Sequence, residues 1–377
     1  MSWYGNDRRD TVLCRAIQAL VSSVPVTLNI YEDTLRKSVI HTLLSYQVDT
    51  SKVKIVFDPY VDFWTRDPLF FVFRNDSLAM TCFDYSAYGV YPHIAGEPMP
   101  DDIRLMGEYD ERLADRLNIP VIRSDFVFEG GGIETNGKGT FLLIYDMVIQ
   151  RNPDKELHDI SKELIRTLGA KTIYYLQAGL IEDRIFENYG PFYKNYFGGG
   201  ANMHIDELCR FVDDRTVVLP YLDEAEIQEN PIDSINYFML ENNYQVLKKA
   251  FTHEGKRLKI RRVPMPDTEE LVYNQIVTEK NKDQFIPFGF TVGDTIHRVP
   301  AASYVNYFVS NDVVLIPKYW QPGMKESQKA KDDEALRIFS KLFPGRKVIQ
   351  IFAFGINRGG GGIHCMTHEQ PALPIRH

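Results

Sequence analysis

The sequence predicts an α/β protein assembled from a repeated unit. Strand-like runs rich in β-branched and aromatic residues recur along the whole chain. Single stretches with helical spacing of apolar residues lie between them. Two segments, one starting at Met203 and one at Ser303, each read as a hairpin, then a helix, then a further strand.

In chain order, the strand-like runs are 26–31, 53–57, 69–73, 140–149, 172–176, 207–219, 257–265, 303–317 and 347–354, bounded by Gly, Pro, Asn and Asp. Residues 154–168 read as a helix, with Leu157, Ile160, Leu164, Ile165 and Leu168 on one face, and 233–251 and 331–342 read similarly. Hairpin turns are expected at Asp213–Asp214 and at Ser310–Asp312. Periodicity supports two or three units and does not say how they close up.

Composition narrows the function. The chain has 377 residues, enough to bury a core. Its formal net charge of −8 disfavours a nucleic-acid partner. No run of about 18 apolar residues is present, so no membrane-spanning helix is expected. The first residues lack a secretory pattern, and the expected location is cytoplasmic. Cys14, Cys82, Cys209 and Cys365 form no CxxC pair, which supports neither a zinc ribbon nor a redox dithiol.

Four segments set rare chemistry beside glycine or a strand end: 63–68 (FWTRDP), 128–134 (FEGGGIE), 198–207 (GGGANMHIDE) and 358–367 (RGGGGIHCMT). Four glycines before Cys365 allow positive φ and close approach of backbone to a ligand, and a thiol there suits a nucleophile. Alone, such a cysteine is more often a small buried apolar residue. His204 and Asp206 would share a face if they lay in a strand, and histidine supplies acid or base near neutrality. A metal reading of this pair is possible, but no third ligand of suitable spacing accompanies it, and no metal site is expected. Glu129 and Asp67, read singly, are turn carboxylates. Together, one thiol, one imidazole and three carboxylates fit a guanidinium. Two carboxylates can grip its charged planar fork, and a thiolate can attack its central carbon from one face.

WTRD, EGGGIETNG, HID and GGGGIHC, in that order from about Val53 to Pro371, resemble the agmatine deiminase and bacterial peptidylarginine deiminase family. The resemblance implies a single domain over 1–377, a five-bladed pseudo-fivefold α/β propeller of ββαβ-type repeats with its site on the central axis. It implies Cys365 as nucleophile, His204 as general acid/base, Asp67 and Asp206 as guanidinium ligands, and Glu129 as the residue orienting His204. Trp64, Arg66, Asn306, Gly361 and Gly362 are implied as substrate-binding residues. The implied reaction passes through an amidino-cysteine intermediate to a ureido product and ammonia, without a cofactor. The partner is a small-molecule or peptidyl guanidino substrate, agmatine or peptidyl or free arginine, with no nucleic acid and no membrane; a homo-oligomer is left open. An amidinotransferase using the same cysteine, or a non-catalytic guanidino-binding protein, are the alternatives. Three departures from agmatine deiminases leave the substrate open: Glu134, the aromatic, glycine-rich stretch 179–202, and the lack of a threonine pair after the strand in 140–153. The three carboxylates are expected to raise the Cys365 pKa in the empty site.

Overall fold

Four three-stranded sheets share one connection: an antiparallel hairpin, a helix, and a strand that returns parallel to the second hairpin strand. In the computed structural model, which describes residues 1–377 apart from 4, 6, 75–76, 92–97, 185–189 and 373–377, the first of these comprises Phe71–Arg74, Ser77–Asp84 and Val121–Val127. The second is Glu134–Thr135, Thr140–Ile144 and Thr172–Leu176. The third is Arg210–Phe211, Thr216–Tyr221 and Lys259–Pro264. The fourth is Phe308–Val309, Val313–Lys318 and Lys347–Phe352. A fifth unit pairs Val26–Ile30 in parallel with Val53–Phe57, and Ser2 bridges Asn29. The helices inside the five units include Arg36–Ser45, Tyr109–Leu117, Leu157–Leu168, Pro231–Lys249 and Glu326–Leu342.

The structure therefore corrects the count of two or three units to five. Three of the first strands are only two residues long, too short to show alternation. The run 140–149 is not one strand: it ends at Ile144 and continues without a breaker as the helix Tyr145–Arg151. The strand is buried throughout and the helix at Met147, Val148 and Arg151, and a continuous apolar run does not reveal its period. The helix expected from 233 starts at Pro231, where Asn230 caps the Ile232 N–H and proline occupies the first turn. His204 and Asp206 do not lie in a strand. Ile205–Glu207 is a single 3₁₀ turn that His204 precedes in extended conformation.

Part of the 179–202 stretch builds a sixth sheet, in which Tyr196–Phe197 pairs with Thr295–Arg298, itself paired to Tyr273–Ile276. Residues 185–189 of that stretch lie outside the described residues.

In each unit, the returning strand leads into a loop that starts the next unit or, for the fourth sheet, ends the fold. Those loops, 58–70, 128–133, 177–209, 265–307 and 353–367, carry all the candidate residues. Bonds between loops hold them together: the Gly130 N–H donates to the Asp67 carbonyl at 2.9 Å, and the Arg66 N–H to the Cys365 carbonyl at 3.1 Å. Two large apolar clusters flank them, one containing Leu28, Leu315 and Cys365, the other Leu142, Leu219 and Met203.

Candidate active site

Cys365 follows a glycine run whose lack of side chains lets four loops converge. Gly360 has φ of 99°, a left-handed conformation that favours glycine, and a Cβ there would lie 3.1 Å from the Gly199 carbonyl. A Cβ on Gly362 would lie 2.3 Å from Asn306 Oδ1. Asn306 accepts the His364 N–H at 2.8 Å and donates from Nδ2 to Cys365 Sγ at 3.2 Å. The thiol is 2% exposed and opens on a cavity of about 60 Å³ with Trp64, Asp67, Tyr88, Gly200 and Gly360 among its walls.

His204 is fully buried, with Nδ1 3.7 Å from Asp67 and Nε2 3.6 Å from Glu129. These distances exceed hydrogen-bond reach, and neither ring nitrogen has a hydrogen-bond partner among the described residues. Its backbone is held instead: the His204 N–H donates to Asp183 at 2.7 Å, as does the Ala201 N–H. Asn202 and Met203, just before it, both have positive φ. Asp67 accepts from the Gly131 N–H at 3.1 Å and the Tyr88 hydroxyl at 2.9 Å. Tyr88 has φ of 60° and its ring lies 5.7 Å from that of His204. Glu129 is gripped by Arg151, whose Nε lies 2.9 and 3.1 Å from the two carboxylate oxygens, and Arg151 Nη2 donates to the carbonyls of Ala201 and Asn202, each at 3.2 Å.

Asp206 faces the thiol, with Sγ 3.6 Å from Oδ2, the oxygen that also contacts His364 Nδ1 at 2.7 Å. Glu207 is buried beside it, and among the described residues no hydrogen bond reaches either of its oxygens. Glu134, one of the departures from the family pattern, does not line the cavity: it pairs with Arg210 at 3.2 Å and accepts the Phe211 N–H at 2.9 Å.

The structure brings Cys365, His204, Asp206, Asp67, Glu129 and Trp64 together. The other four expected substrate-binding residues, Arg66, Asn306, Gly361 and Gly362, are not among the residues that line the cavity. The Arg66 guanidinium is engaged by Glu369 at 2.7 Å and the His364 carbonyl at 3.4 Å, and Asn306 donates to the Cys365 sulfur. A Cβ on Gly361 would lie 3.0 Å from Trp64 and 3.1 Å from Cys365. Tyr88, Arg151, Asp183 and His364 were not singled out from the sequence, and only the adjacency of His364 to Cys365 could have pointed to one of them.

Burial pushes the Cys365 thiol well above its usual pKa, and the charges of Asp206, Glu207 and Asp67 add to the rise. Burial works against the His204 cation, but Asp67, Glu129 and Asp206 together outweigh it and raise the pKa to about 9. Burial likewise lifts Asp67 to about 6, opposed by His204. For Glu129, burial favours the neutral acid, yet Arg151 and His204 hold the carboxyl below its ordinary value. Burial drives His364 well below its usual value, reinforced by Arg210 and Arg66, which favours a neutral ring against Asp206. The shifts of Cys365 and His204 favour a neutral thiol and an imidazolium near neutral pH.

The sequence profile of the Porphyromonas-type peptidyl-arginine deiminase family matches residues 3–371. A Selenomonas ruminantium protein provisionally named an agmatine deiminase is 30% identical over 255 residues, 66% of this chain and 58% of that protein. The chain spans 58–62% of the length of the first three curated relatives it matches. Among solved structures, the agmatine deiminase of Enterococcus faecalis superposes with a TM-score of 0.71 at 21% identity, covering 96% of this chain and 87% of that one. A Porphyromonas gingivalis protein provisionally named an arginine deiminase gives 0.72 at 22% identity, covering 99% and 93%. At these identities the likenesses establish a shared α/β fold.

Proposed function

This chain belongs to the Porphyromonas-type peptidyl-arginine deiminase family, and we propose that it hydrolyses a guanidino substrate, agmatine or peptidyl or free arginine, to its ureido product and ammonia. The observation that carries this reading is the convergence of Cys365, His204, Asp67, Asp206 and Glu129 from four loops: Cys365 and Asp67 line one small cavity, His204 lies 3.7 Å from Asp67 and 3.6 Å from Glu129, and Asp206 lies 3.6 Å from the thiol.

Asp67 and Asp206 grip the guanidinium N–H groups. The incoming cation offsets the carboxylates that hold the thiol neutral, and the Cys365 proton departs toward Asp206, 3.6 Å away. The thiolate attacks the guanidinium carbon and forms a C–S bond. His204, already protonated, gives its proton to the departing nitrogen; the C–N bond breaks, ammonia leaves, and an amidino-cysteine remains. His204, now neutral, takes a proton from water, which attacks the same carbon. The C–S bond breaks as the hydroxyl proton of the intermediate passes to the released ammonia or solvent, which frees the neutral ureido product, and Asp206 returns its proton to the Cys365 thiolate. Glu129, its charge fixed by Arg151, stabilises the imidazolium and sets its tilt.

Ammonia release from agmatine, arginine and a blocked arginine amide, measured side by side, tests the reading and selects the substrate. Transfer of the amidino group to an added amine, with no ureido product, would establish an amidinotransferase instead. No turnover of any guanidine would overturn the proposal.

A further inference from the structure

Glu207 is the buried acid that this chemistry leaves unused. It is 1% exposed, and neither of its oxygens has a hydrogen-bond partner among the described residues; Asp206 Oδ1 has none either. Buried polar atoms are normally satisfied, and each exception calls for an explanation. One donor atom each from Glu207, Asp206 and Cys365 lies within 4.8 Å of the other two. A sulfur with two carboxylate oxygens suits a borderline-soft divalent cation, whereas calcium and magnesium take oxygen alone. His364 holds Asp206 through Oδ2 at 2.7 Å and leaves Oδ1 unpartnered, the kind of outer contact that orients a metal-binding carboxylate.

We infer that Cys365, Asp206 and Glu207 form an inhibitory site for a thiophilic divalent cation of the zinc and cadmium class. On binding, a metal–sulfur bond forms as the thiol proton passes to solvent, the carboxylates of Asp206 and Glu207 complete the protein's ligand set, and no electron is transferred. The cation takes Cys365 and Asp206, the groups a guanidinium needs, so metal and substrate exclude one another. The inhibition rests on the proposed function; the binding does not.

Full-length protein freed of metal is titrated with Cd²⁺, following the ultraviolet absorption of the cadmium–thiolate bond. The band should saturate at one equivalent, be absent in Cys365→Ala, and require at least tenfold more Cd²⁺ in Glu207→Gln, which keeps the size of the side chain and removes the carboxylate. If Glu207→Gln does not fold by far-ultraviolet circular dichroism, Glu207→Asp, which withdraws the carboxylate by one methylene, should show the same tenfold weakening. In parallel, Zn²⁺ should raise the KM for ammonia release without lowering kcat. A full band in Cys365→Ala would place the metal on another cysteine, and unchanged affinity in the Glu207 variant would leave only a generic thiol adduct; either overturns the site. Inhibition that lowers kcat alone would overturn the competition. A band that behaves as expected in a protein without deiminase activity would retain the metal site and overturn the proposed function.

Discussion

Arg151 holds Glu129 through Nε, 2.9 and 3.1 Å from the two carboxylate oxygens, with both side chains fully shielded from solvent. The pair fixes the charge next to His204 Nε2, and Nη2 of the same guanidinium braces the Ala201 and Asn202 carbonyls that lead into His204. Arg151→Met removes one partner of a buried pair and leaves Glu129 uncompensated. It should cost about 3–5 kcal/mol of stability, read by urea denaturation, and should lower ammonia release. Wild-type stability in the variant would show that Glu129 does not need its partner.

Cys365→Ala and Cys365→Ser should remain folded and lose turnover by several orders of magnitude, because a covalent nucleophile has no substitute in the site. Ammonia assays alongside thermal melting separate the two effects. Near-normal turnover in the alanine variant would refute the reaction scheme.

Asp67→Asn and Asp206→Asn should each give a folded, nearly inactive protein, the lost charge-assisted contact to substrate being worth about 3–5 kcal/mol. Asp67 adds a stability signature. Its folded pKa of about 6 lies above the ordinary carboxyl value, so the folded state binds its proton more tightly. Its contribution to stability is complete below about 4 and is lost as pH rises through 6. At neutral pH, Asp67→Asn should therefore melt no lower than wild type; a marked drop would mean that the carboxylate stabilises the empty fold. A chelator such as EDTA should leave turnover unchanged, since no step of the proposed reaction uses a metal; loss of activity with EDTA, restored by zinc, would overturn that scheme.

The thiol pKa, raised by burial and then by Asp206, Glu207 and Asp67, makes alkylation a direct probe of activation. Iodoacetamide should label Cys365 slowly at pH 7 and faster as pH rises. A non-reactive cationic analogue that leaves the sulfur accessible should speed labelling at neutral pH. Rapid labelling of the free protein with an apparent pKa below about 7 would indicate a preformed thiolate–imidazolium pair.

His204 titrates in the same sense as Asp67 for stability, but at higher pH. Its folded pKa of about 9 lies above the ordinary value, so its imidazolium contributes stability that is fully present below about 6.5 and lost as pH rises through 9. Thermal melting between pH 6 and 9.5 should fall less steeply in His204→Gln than in wild type; parallel curves would show that His204 is neutral in the folded protein.

The sequence by itself determined which residues are the candidate reactive groups. WTRD, EGGG, HID and GGGGIHC place the thiol, imidazole and carboxylates in short segments, where residue type, order and neighbouring glycines carry the signal. The main strands and helices were legible for a similar reason, since their apolar period is local. Only the tertiary structure decided the rest. The five-unit count depended on two-residue strands such as Arg210–Phe211, which exist because Thr216–Tyr221 supplies their partner. Arg66 turned out to hold Glu369, and Glu134 to pair with Arg210. Arg151, Asp183, Tyr88 and His364 acquired partners from other loops. An ion pair or a buried hydrogen bond between residues dozens of positions apart leaves no local pattern. It is set when the loops meet and desolvation obliges each charge and donor brought inside to find a partner.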